Sequence, residues 1–391
     1  MLELLAWLVA LPLAAPLAYL GVELFLGLRP LPEEPQRAVP ARICLLVAAH
    51  NEVAGIAATV EALSAAVPGA QILVVADNCD DATAAEARKA GADVVERTDP
   101  ARRGKGFALA FGREELAGSP PDVVIVVDAD CRLGDGSAER LAARAMVGGR
   151  AVQAANLLTA EKDASPLVAV SNFAMLVKNL IRARGLVRLG GGALLFGTGM
   201  AFSWSLFVTL PLATADAVED LSLGLWLARQ GTGIELDDRA LVTSPAAALA
   251  DSRAQRSRWE HGFLRTAITQ GAPMLFRGVA TASRHVAALG GHLLVPPLAL
   301  LMLLAIPGLA LLAGVGVLSG NWTPLLLTGS AFGFAATALL ASWWWHGRGI
   351  LPLAALLRIP VYILWKIPIY IGFFTRNQKA WNRTRREDER H

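Results

Sequence analysis

Apolar and polar positions divide the chain into an apolar start, an alternating middle and an apolar final third. Met1–Leu28 is apolar except for Glu3 and Glu23. About 20 such residues cross a bilayer, so residues 1–28 are predicted to form a transmembrane helix. Because the first basic residue, Arg29, follows this segment, the carboxyl end of the helix is expected to face the cytoplasm. A cleavable signal peptide is disfavoured because no basic residue precedes the apolar run.

The middle of the chain alternates runs of β-branched residues with segments of helical period. Residues 41–275 are therefore predicted to be one α/β domain with interfacial helices, preceded by a proline-rich linker at residues 29–40. The alternation predicts a parallel sheet with helices on both faces. The predicted strands are Ile43–Ala48, Ile72–Ala76, Asp93–Glu96 and Val123–Asp128, and the predicted helices are Ala54–Ala66, Ala82–Ala90, Lys105–Leu116 and Ala138–Met146.

The final third returns to apolar sequence. Leu293–Leu318 and Thr323–Trp345 predict a transmembrane hairpin within residues 285–345. Charged residues and prolines interrupt residues 350–374, and charges near the middle of a span are costly. We therefore predict that residues 346–391 form an interfacial, proline-broken helix and a basic tail. The tail either folds back on the polar domain or contacts anionic lipid.

Composition narrows the class of protein. Of the 391 residues, 54% are hydrophobic and 18% are charged, and the mean hydropathy is +0.46. This balance is too apolar for a soluble protein and too charged for membrane spans alone, so it favours a membrane-anchored protein with one polar domain. The net charge of +3 does not suggest nucleic acid as a partner. Three widely spaced cysteines argue against a disulfide framework or a zinc site, and for a reducing compartment.

Polar side chains follow three of the predicted strands. His50-Asn51-Glu52 follows the first and Asp77-Asn78 the second, while Asp128 and Asp130 close the central strand. The carboxyl ends of parallel strands share one edge of the sheet, where open α/β sheets bind ligands, so we predict a pocket there. Two such close carboxylates repel each other unless a cation lies between them. A divalent metal carrying a diphosphate meets that need, and an acidic strand-end turn is the alternative that these residues leave open.

Three further motifs limit the chemistry. The first strand is followed by Ala49-His50-Asn51-Glu52 rather than by spaced glycines, which disfavours a dinucleotide fold. Gly104-Lys105-Gly106 lacks the spacing of a P-loop, so this basic turn either contacts phosphate or is solvated. Glu219-Asp220 precedes a predicted helix at Leu221–Arg229. Acids in that position are catalytic or only stabilise the first helical turn.

Six motifs occur in order along the chain: Ala49-His50-Asn51-Glu52, Val75-Ala76-Asp77-Asn78, Arg103-Gly104-Lys105-Gly106, Asp128-Ala129-Asp130, Glu219-Asp220 and Gln255-Arg256-Ser257-Arg258-Trp259. This ordered set resembles the membrane-embedded family 2 glycosyltransferases, which have a GT-A fold. That family includes cellulose, chitin and hyaluronan synthases, poly-N-acetylglucosamine synthases and ceramide glucosyltransferases. The resemblance covers roughly residues 43–262, and Ala48 and Val218 depart from its pattern, where many relatives carry Pro and Thr.

The resemblance implies roles for individual residues. Asp220 would be the general base for an acceptor hydroxyl, and a one-step attack would invert the anomeric configuration. Asp77 would contact the nucleoside, and Asp128 would contact the ribose or the metal. Asp130 would bind Mg²⁺ or Mn²⁺ on the donor diphosphate, where the ion neutralises charge on the leaving group. The other implied donor contacts are Asn51, Glu52, Lys105 and Arg258. The implied acceptor contacts are Gly199, Glu219, Gln255 and Trp259.

The implied function is that of an inverting, metal-dependent glycosyltransferase at the cytoplasmic face of the inner (plasma) membrane. Its expected partners are a nucleoside-diphosphate sugar, preferably UDP-linked, membrane lipids, and a lipid or glycan acceptor. Few spans are available for a secretion channel, which favours a lipid or short glycolipid as the acceptor. A processive polysaccharide synthase, or an enzyme with an export partner that supplies the channel, is the alternative. An inactive membrane scaffold is disfavoured because every expected carboxylate is retained.

Overall fold

The computed structural model describes residues 2–33, 42–159, 165–216, 218–246 and 249–375, with the backbone alone for residues 249–255. These residues form two compact units. The apolar unit comprises residues 2–30, 165–191 and 260–375. The sheet unit comprises the described residues of 31–159 and 192–259. The domain boundaries expected from the sequence remain a prediction.

The sheet unit is built on eight strands in the order β3-β2-β1-β4-β7-β6-β8-β5. The strands are β1 Ile43–Ala49, β2 Gln71–Asp77, β3 Asp93–Arg97, β4 Val123–Asp128, β5 Arg132–Leu133, β6 Ala151–Thr159, β7 Met200–Ser203 and β8 Ile234–Pro245. The helices are α2 Ile56–Ala66, α3 Thr83–Lys89, α4 Lys105–Leu116, α5 Ser137–Met146, α8 Trp204–Phe207, α9 Glu219–Arg229 and, up to Trp259, α10 Leu249–Thr266.

The four predicted strands pair in parallel, as expected, and the strands that the sequence did not predict make the sheet mixed, although β6 and β8 also pair in parallel. Strands β3, β2, β1 and β4 pair in parallel. Strand β7 then pairs antiparallel with β4 and with β6, and β5 pairs antiparallel with β8. The sequence signals of this second half are weak: β6 is rich in alanine, β7 has four residues, and β8 contains three acidic residues. Its strands form because neighbouring strands pair with them.

Both faces of the central strands are buried, as their unbroken apolar sequence requires. Leu45 on β1 and Ile125 on β4 pack with Ile56 of α2 and Leu141 of α5, and all four are completely buried. Helix α4 approaches the opposite face closely, because a Cβ added at Gly112 would lie 2.6 Å from a methyl carbon of Leu46. This packing fixes the carboxyl ends of β1 and β4 beside the start of α4.

The apolar unit contains three helices that are long and apolar enough to cross a membrane, among the residues described: Leu2–Gly27, Leu298–Ser319 and Thr323–Gly347. The predicted apolar helices at the two ends of the chain are thereby confirmed. The helices of this unit are α1 Leu2–Gly27, α6 Pro166–Leu176, α7 Ala183–Arg188, α11 Ala272–Ala280, α12 Arg284–Leu293, α13 Leu298–Ser319, α14 Thr323–Ser342, α15 Leu353–Leu356, α16 Ile359–Trp365 and α17 Ile367–Thr375, with π-helical turns at Val177–Arg182, Ala267–Gly271 and Trp343–Gly347.

Several buried charged residues of the apolar unit form ion pairs. Glu23 of α1 accepts hydrogen bonds from Arg182 at 2.7 Å and contacts His292 at 2.5 Å. Lys366, between α16 and α17, forms an ion pair with Glu260. Since a buried charge without a partner is strongly unfavourable, these pairs allow charges inside apolar sequence. The segment at 350–374 contains the short helices α15, α16 and α17. The interfacial, proline-broken helix expected there remains a prediction, and the basic tail after residue 375 lies outside the described residues.

Candidate active site

The polar residues at the strand ends share one edge of the sheet, as predicted. Ala48 of β1 lies opposite Asp128 of β4, and β2 ends beside β1 at Asp77. The ring Nδ1 of His50 is 2.7 Å from the backbone oxygen of Asp77. The parallel register of these three strands is therefore the reason that acids distant in sequence meet.

Asp77 is buried and bound to an arginine that the sequence analysis missed. Arg97 Nη1 donates to Asp77 Oδ1 at 2.6 Å, and the other end of the same guanidinium donates to Asp99 at 3.2 Å. Arg97 is the last residue of β3, so it occupies the same kind of strand-end position as the acids. This position was the signal that could have identified it. The contact of Asp77 with a nucleoside remains a prediction.

Asn51 and Asn78 close the loops that follow β1 and β2. Both have left-handed backbone conformations, with φ of 55° and 53°, which asparagine tolerates better than most residues. Asn51 Oδ1 accepts from the backbone N–H of Asp80 at 2.9 Å, and Asn78 Oδ1 accepts from that of Asp99 at 2.8 Å. The backbone N–H of Glu52 donates to Thr83 Oγ1 at 2.7 Å. These bonds give Asn51 and Glu52 structural roles beside the donor contacts predicted for them.

Asp128, Asp130 and Cys131 form a candidate metal site. One ligand atom from each lies within 4.8 Å of the others. Burial, together with the charge of Asp130, raises the pKa of the Cys131 thiol, and this thiol contacts Ser244 Oγ at 3.0 Å. In the metal-free protein the thiol is therefore protonated, and the two carboxylates are the hard ligands of this group. Two carboxylates with open positions for phosphate and water oxygens fit Mg²⁺, and hard oxygen ligands suit Mn²⁺ as well.

Lys105 supplies the cation that the sequence analysis required near these acids. Its ammonium group forms an ion pair with Asp128 Oδ1 and donates to the backbone oxygen of Gly197 at 2.6 Å. Burial alone would lower the pKa of Lys105, but the charges of Asp128, Glu219 and Asp220 together raise it above its usual range. Lys105 is therefore a permanent cation inside an acidic site.

The loop Gly197-Thr198-Gly199 lies between the metal site and Asp220. Thr198 Oγ1 accepts from the backbone N–H of Asp128 at 3.1 Å, and its backbone oxygen accepts from the buried amide of Gln153 at 2.8 Å. Gln153 was missed because β6 was not predicted. Gly199 has a φ of +66°, and a Cβ there would lie 2.6 Å from Val242 and 2.9 Å from Ala154. Glycine is thus needed at this position by the protein's own packing, whereas its contact with an acceptor remains a prediction.

Glu219 and Asp220 form the first turn of α9. A Cβ placed on Gly197 would lie 3.4 Å from Asp220 Oδ2 and 3.6 Å from the Lys105 ammonium, so these two groups flank the same backbone position. Asp220 Oδ1 also accepts from the backbone N–H of Leu221 at 2.8 Å. Burial and the neighbouring charge of Asp220 raise the pKa of Glu219 to about 7. The structural and catalytic interpretations of this pair are therefore compatible.

Helix α10 carries the motif at Gln255–Trp259, and its Arg258 lies near Glu219. Burial lowers the pKa of the Arg258 guanidinium, and the nearby charge of Glu219 opposes that effect. The Trp259 side chain is 39% exposed, so its ring is available to another molecule. The side chain of Gln255 lies outside the described part of the chain. Its predicted acceptor contact, like those of Glu219 and Trp259, stays a prediction.

The assembled site combines three chemical capacities. Asp128 and Asp130 can hold a hard divalent cation, Lys105 and Arg258 can bind an anion such as a diphosphate, and Asp220 can accept a proton. With Glu219 ionised, Asp128, Asp130, Glu219 and Asp220 carry four negative charges, and Lys105 and Arg258 carry two positive charges. One divalent cation would balance the difference. Such a site suits the departure of a phosphorylated leaving group.

Comparison with known proteins agrees with this chemistry. Residues 40–262 match the family model described as "Glycosyltransferase like family 2". No curated protein matches the chain in sequence. In fold, the chain is similar to the mannosyltransferase PcManGT from Pyrobaculum calidifontis, solved with GDP-Man and Mn²⁺. The TM-score is 0.57 and the identity 16%, over 94% of this chain and 100% of that one.

A second solved structure is similar over a smaller part. Glucosyl-3-phosphoglycerate synthase from Mycobacterium tuberculosis, solved with Mn²⁺, UDP and phosphoglyceric acid, matches with a TM-score of 0.39 and 19% identity, over 60% of this chain and 84% of that one. The mixed sheet with its flanking helices is the GT-A fold expected from the sequence. The family model spans more than half of the chain, and the protein therefore belongs to the family 2 glycosyltransferases.

Proposed function

We propose that this protein is an inverting, metal-dependent glycosyltransferase that moves a sugar from a nucleoside-diphosphate sugar to a lipid or short glycolipid. The observation that carries the proposal is the convergence of Asp128, Asp130, Lys105 and Asp220 around the loop at Gly197. Asp128, Asp130 and Lys105 would bind the leaving group, and Asp220 would act as the base. A single displacement requires both. The donor is proposed to be UDP-linked. The GDP-Man bound to the similar mannosyltransferase makes GDP-linked donors the second class to test.

Asp128 and Asp130 are the residues that would hold Mg²⁺ or Mn²⁺. The ion, when bound, would act as a Lewis acid that stabilises the departing diphosphate. Lys105 and Arg258 add positive charge on the same side, because each can donate hydrogen bonds to phosphate oxygens. Arg97, held by Asp77 and Asp99, orders the loop beside the predicted nucleoside contact.

Asp220 is proposed to accept the proton of the acceptor hydroxyl as that oxygen attacks the anomeric carbon. The bond to the diphosphate breaks on the opposite side of the sugar, so the configuration inverts. Glu219, adjacent and half-buried, is proposed to bind the acceptor, and its raised pKa lets it donate as well as accept a hydrogen bond near neutral pH. The exposed ring of Trp259 offers a flat apolar face to a sugar ring or a lipid chain.

The apolar unit supports the proposed acceptor and membrane face. Three candidate spans among the described residues are few for a secretion channel, which favours a lipid or glycolipid that is already in the membrane. Arg29 follows the first span, and Arg284 and Arg348 lie on either side of the hairpin. On the positive-inside rule we propose that these three residues, and the sheet unit between them in sequence, lie on the cytoplasmic side of the inner membrane.

The test is turnover of a donor panel by the full chain in lipid nanodiscs. UDP- and GDP-sugars are supplied with Mn²⁺, with Mg²⁺ or with EDTA, and release of the nucleoside diphosphate is measured. We expect release from one nucleotide class, its loss in EDTA, and a radiolabelled product that extracts into organic solvent. A labelled polymer that stays in the aqueous phase would favour the polysaccharide synthase. No release from any donor by a protein that is folded would support the inactive scaffold.

A further inference from the structure

Lys105 is held firmly in place where the metal is proposed to bind. It is the first residue of α4, and its neighbour Gly106 lies against the backbone oxygens of Leu212 and Thr214, where a Cβ would not fit. The side chain is 15% exposed, and its ammonium group has two partners, Asp128 Oδ1 and the backbone oxygen of Gly197. The backbone of α4 and the two partners of the ammonium group therefore determine together where that group lies.

The ammonium and a divalent cation compete for the same carboxylate. Each would lie beside Asp128, and two positive charges about 4 Å apart repel strongly in the reduced dielectric of a half-buried site. A metal arriving alone must either displace Lys105 from Asp128 or bear this repulsion. Displacement would break the ion pair with Asp128 and leave the buried ammonium with its hydrogen bond to Gly197 and the charges of Glu219 and Asp220, and loss of an ion-pair partner is costly where the charge is buried.

A diphosphate removes the conflict. Its oxygens carry negative charge that can bind the ammonium and the metal at the same time, and lysine is a flexible point charge suited to phosphate. The ammonium can turn from Asp128 towards the diphosphate without any movement of α4, because only the four-carbon stem has to change its rotamers.

We propose that Lys105 is a placeholder cation: it occupies the metal's place at Asp128 in the donor-free protein and suppresses metal binding until a nucleoside diphosphate arrives. This inference rests on the proposed function and adds the order of events to it. Metal and nucleotide then bind with positive cooperativity. By linkage, the factor by which the nucleotide tightens metal binding equals the factor by which the metal tightens nucleotide binding.

The test measures Mn²⁺ affinity of the full chain by isothermal titration calorimetry, first without nucleotide and then with saturating UDP or GDP. The Lys105→Met variant should bind Mn²⁺ alone at least tenfold more tightly than wild type, and the nucleotide should tighten its Mn²⁺ binding by a much smaller factor. Lys105→Arg keeps the charge and should keep the suppression. Lys89→Met, which removes an exposed lysine of α3, is the matched control and should behave as wild type.

Equal Mn²⁺ affinities of wild type and Lys105→Met without nucleotide would overturn the placeholder role, even if the variant binds nucleotide weakly. If Lys105→Met does not fold, Lys105→Gln keeps a donor for Gly197 and has the same expected result. The wild-type protein could instead turn over a donor sugar and bind Mn²⁺ with the same affinity with and without nucleotide. That result would overturn this inference but not the proposed function. If no form binds Mn²⁺ even with nucleotide, the metal site itself is wrong, and both are overturned.

Discussion

Glu219 provides a prediction whose size can be worked out from the structure. Burial and the charge of Asp220 raise its pKa from the ordinary 4.5 to about 7 in the folded protein. A difference of one pH unit corresponds to about 1.4 kcal/mol. Ionising Glu219 in the folded, metal-free protein therefore costs about 3 kcal/mol, a large fraction of the 5–15 kcal/mol that typically stabilises a protein.

The sign follows from the two pKa values. Below pH 4.5 Glu219 is protonated in both the folded and the unfolded chain, so it carries no penalty. As the pH rises from 4.5 to 7, the unfolded chain loses this proton first, and the folded state is progressively destabilised. Above pH 7 the loss is complete. Glu219→Gln cannot ionise, so the variant should gain stability over wild type between these two pH values and keep a constant advantage above them.

The assay is thermal unfolding of detergent-solubilised protein in EDTA, followed by intrinsic tryptophan fluorescence from pH 4.5 to 8.5. The difference in Tm between Glu219→Gln and wild type should be near zero at the acid end and positive above pH 7. Glu115→Gln, which removes an exposed carboxylate of α4, is the matched control for loss of a charge. A difference that stays constant across the range, or that falls as the pH rises, would refute the reasoning.

Three more predictions address the metal, the base and the topology. Asp130→Ala should abolish transfer and Mn²⁺-dependent nucleotide binding in calorimetry while the protein stays folded; unchanged binding would remove Asp130 from the metal site. Asp220→Asn retains a side-chain oxygen that can accept the hydrogen bond from the Leu221 N–H, but it cannot take a proton. Its kcat should therefore fall by about 10²–10⁴ with little change in donor affinity. Wild-type turnover would favour the purely structural role. Ser319→Cys should react with a membrane-impermeant maleimide added outside the cell, and Gly349→Cys, which has open space around it, should react only after lysis; the reverse pattern would invert the proposed orientation.

The strand ends were predictable because their signals are local. Strands β1, β2 and β4 are apolar on both faces, which is typical of central parallel strands, and each ends where polar residues begin. Because strands joined by helical crossovers run parallel, their three carboxyl ends lie on one edge without further information. The edge of the sheet that carries Asp77 and Asp128 therefore followed from sequence alone.

The second half of the sheet was not predictable by the same reasoning. Strand β6 begins Ala151-Val152-Gln153-Ala154-Ala155, which has little β propensity, and its residues are nonetheless buried because β7 and β8 flank it. Gln153 looked like an ordinary polar residue, although its amide joins Thr198 and Phe196 through the loop beside the site. Long-range pairing, rather than any local preference, determines this part of the fold.

Asp77 and Asp128 each have a cation partner within the protein, an arginine for the first and a lysine for the second. This difference distinguishes a structural role from a functional one. Arg97 holds Asp77 while also donating to Asp99 and to the backbone oxygen of Arg102. Such a planar guanidinium cannot leave Asp77 without breaking several bonds at once, so we regard it as a fixed part of the scaffold. Lys105 holds Asp128 through one ammonium on a flexible stem, with a single further bond to Gly197. Because the buried ammonium of Lys105 needs a partner whether or not a donor is present, Asp128 serves as that partner in the empty site, and the lysine can exchange it for the diphosphate when the donor arrives.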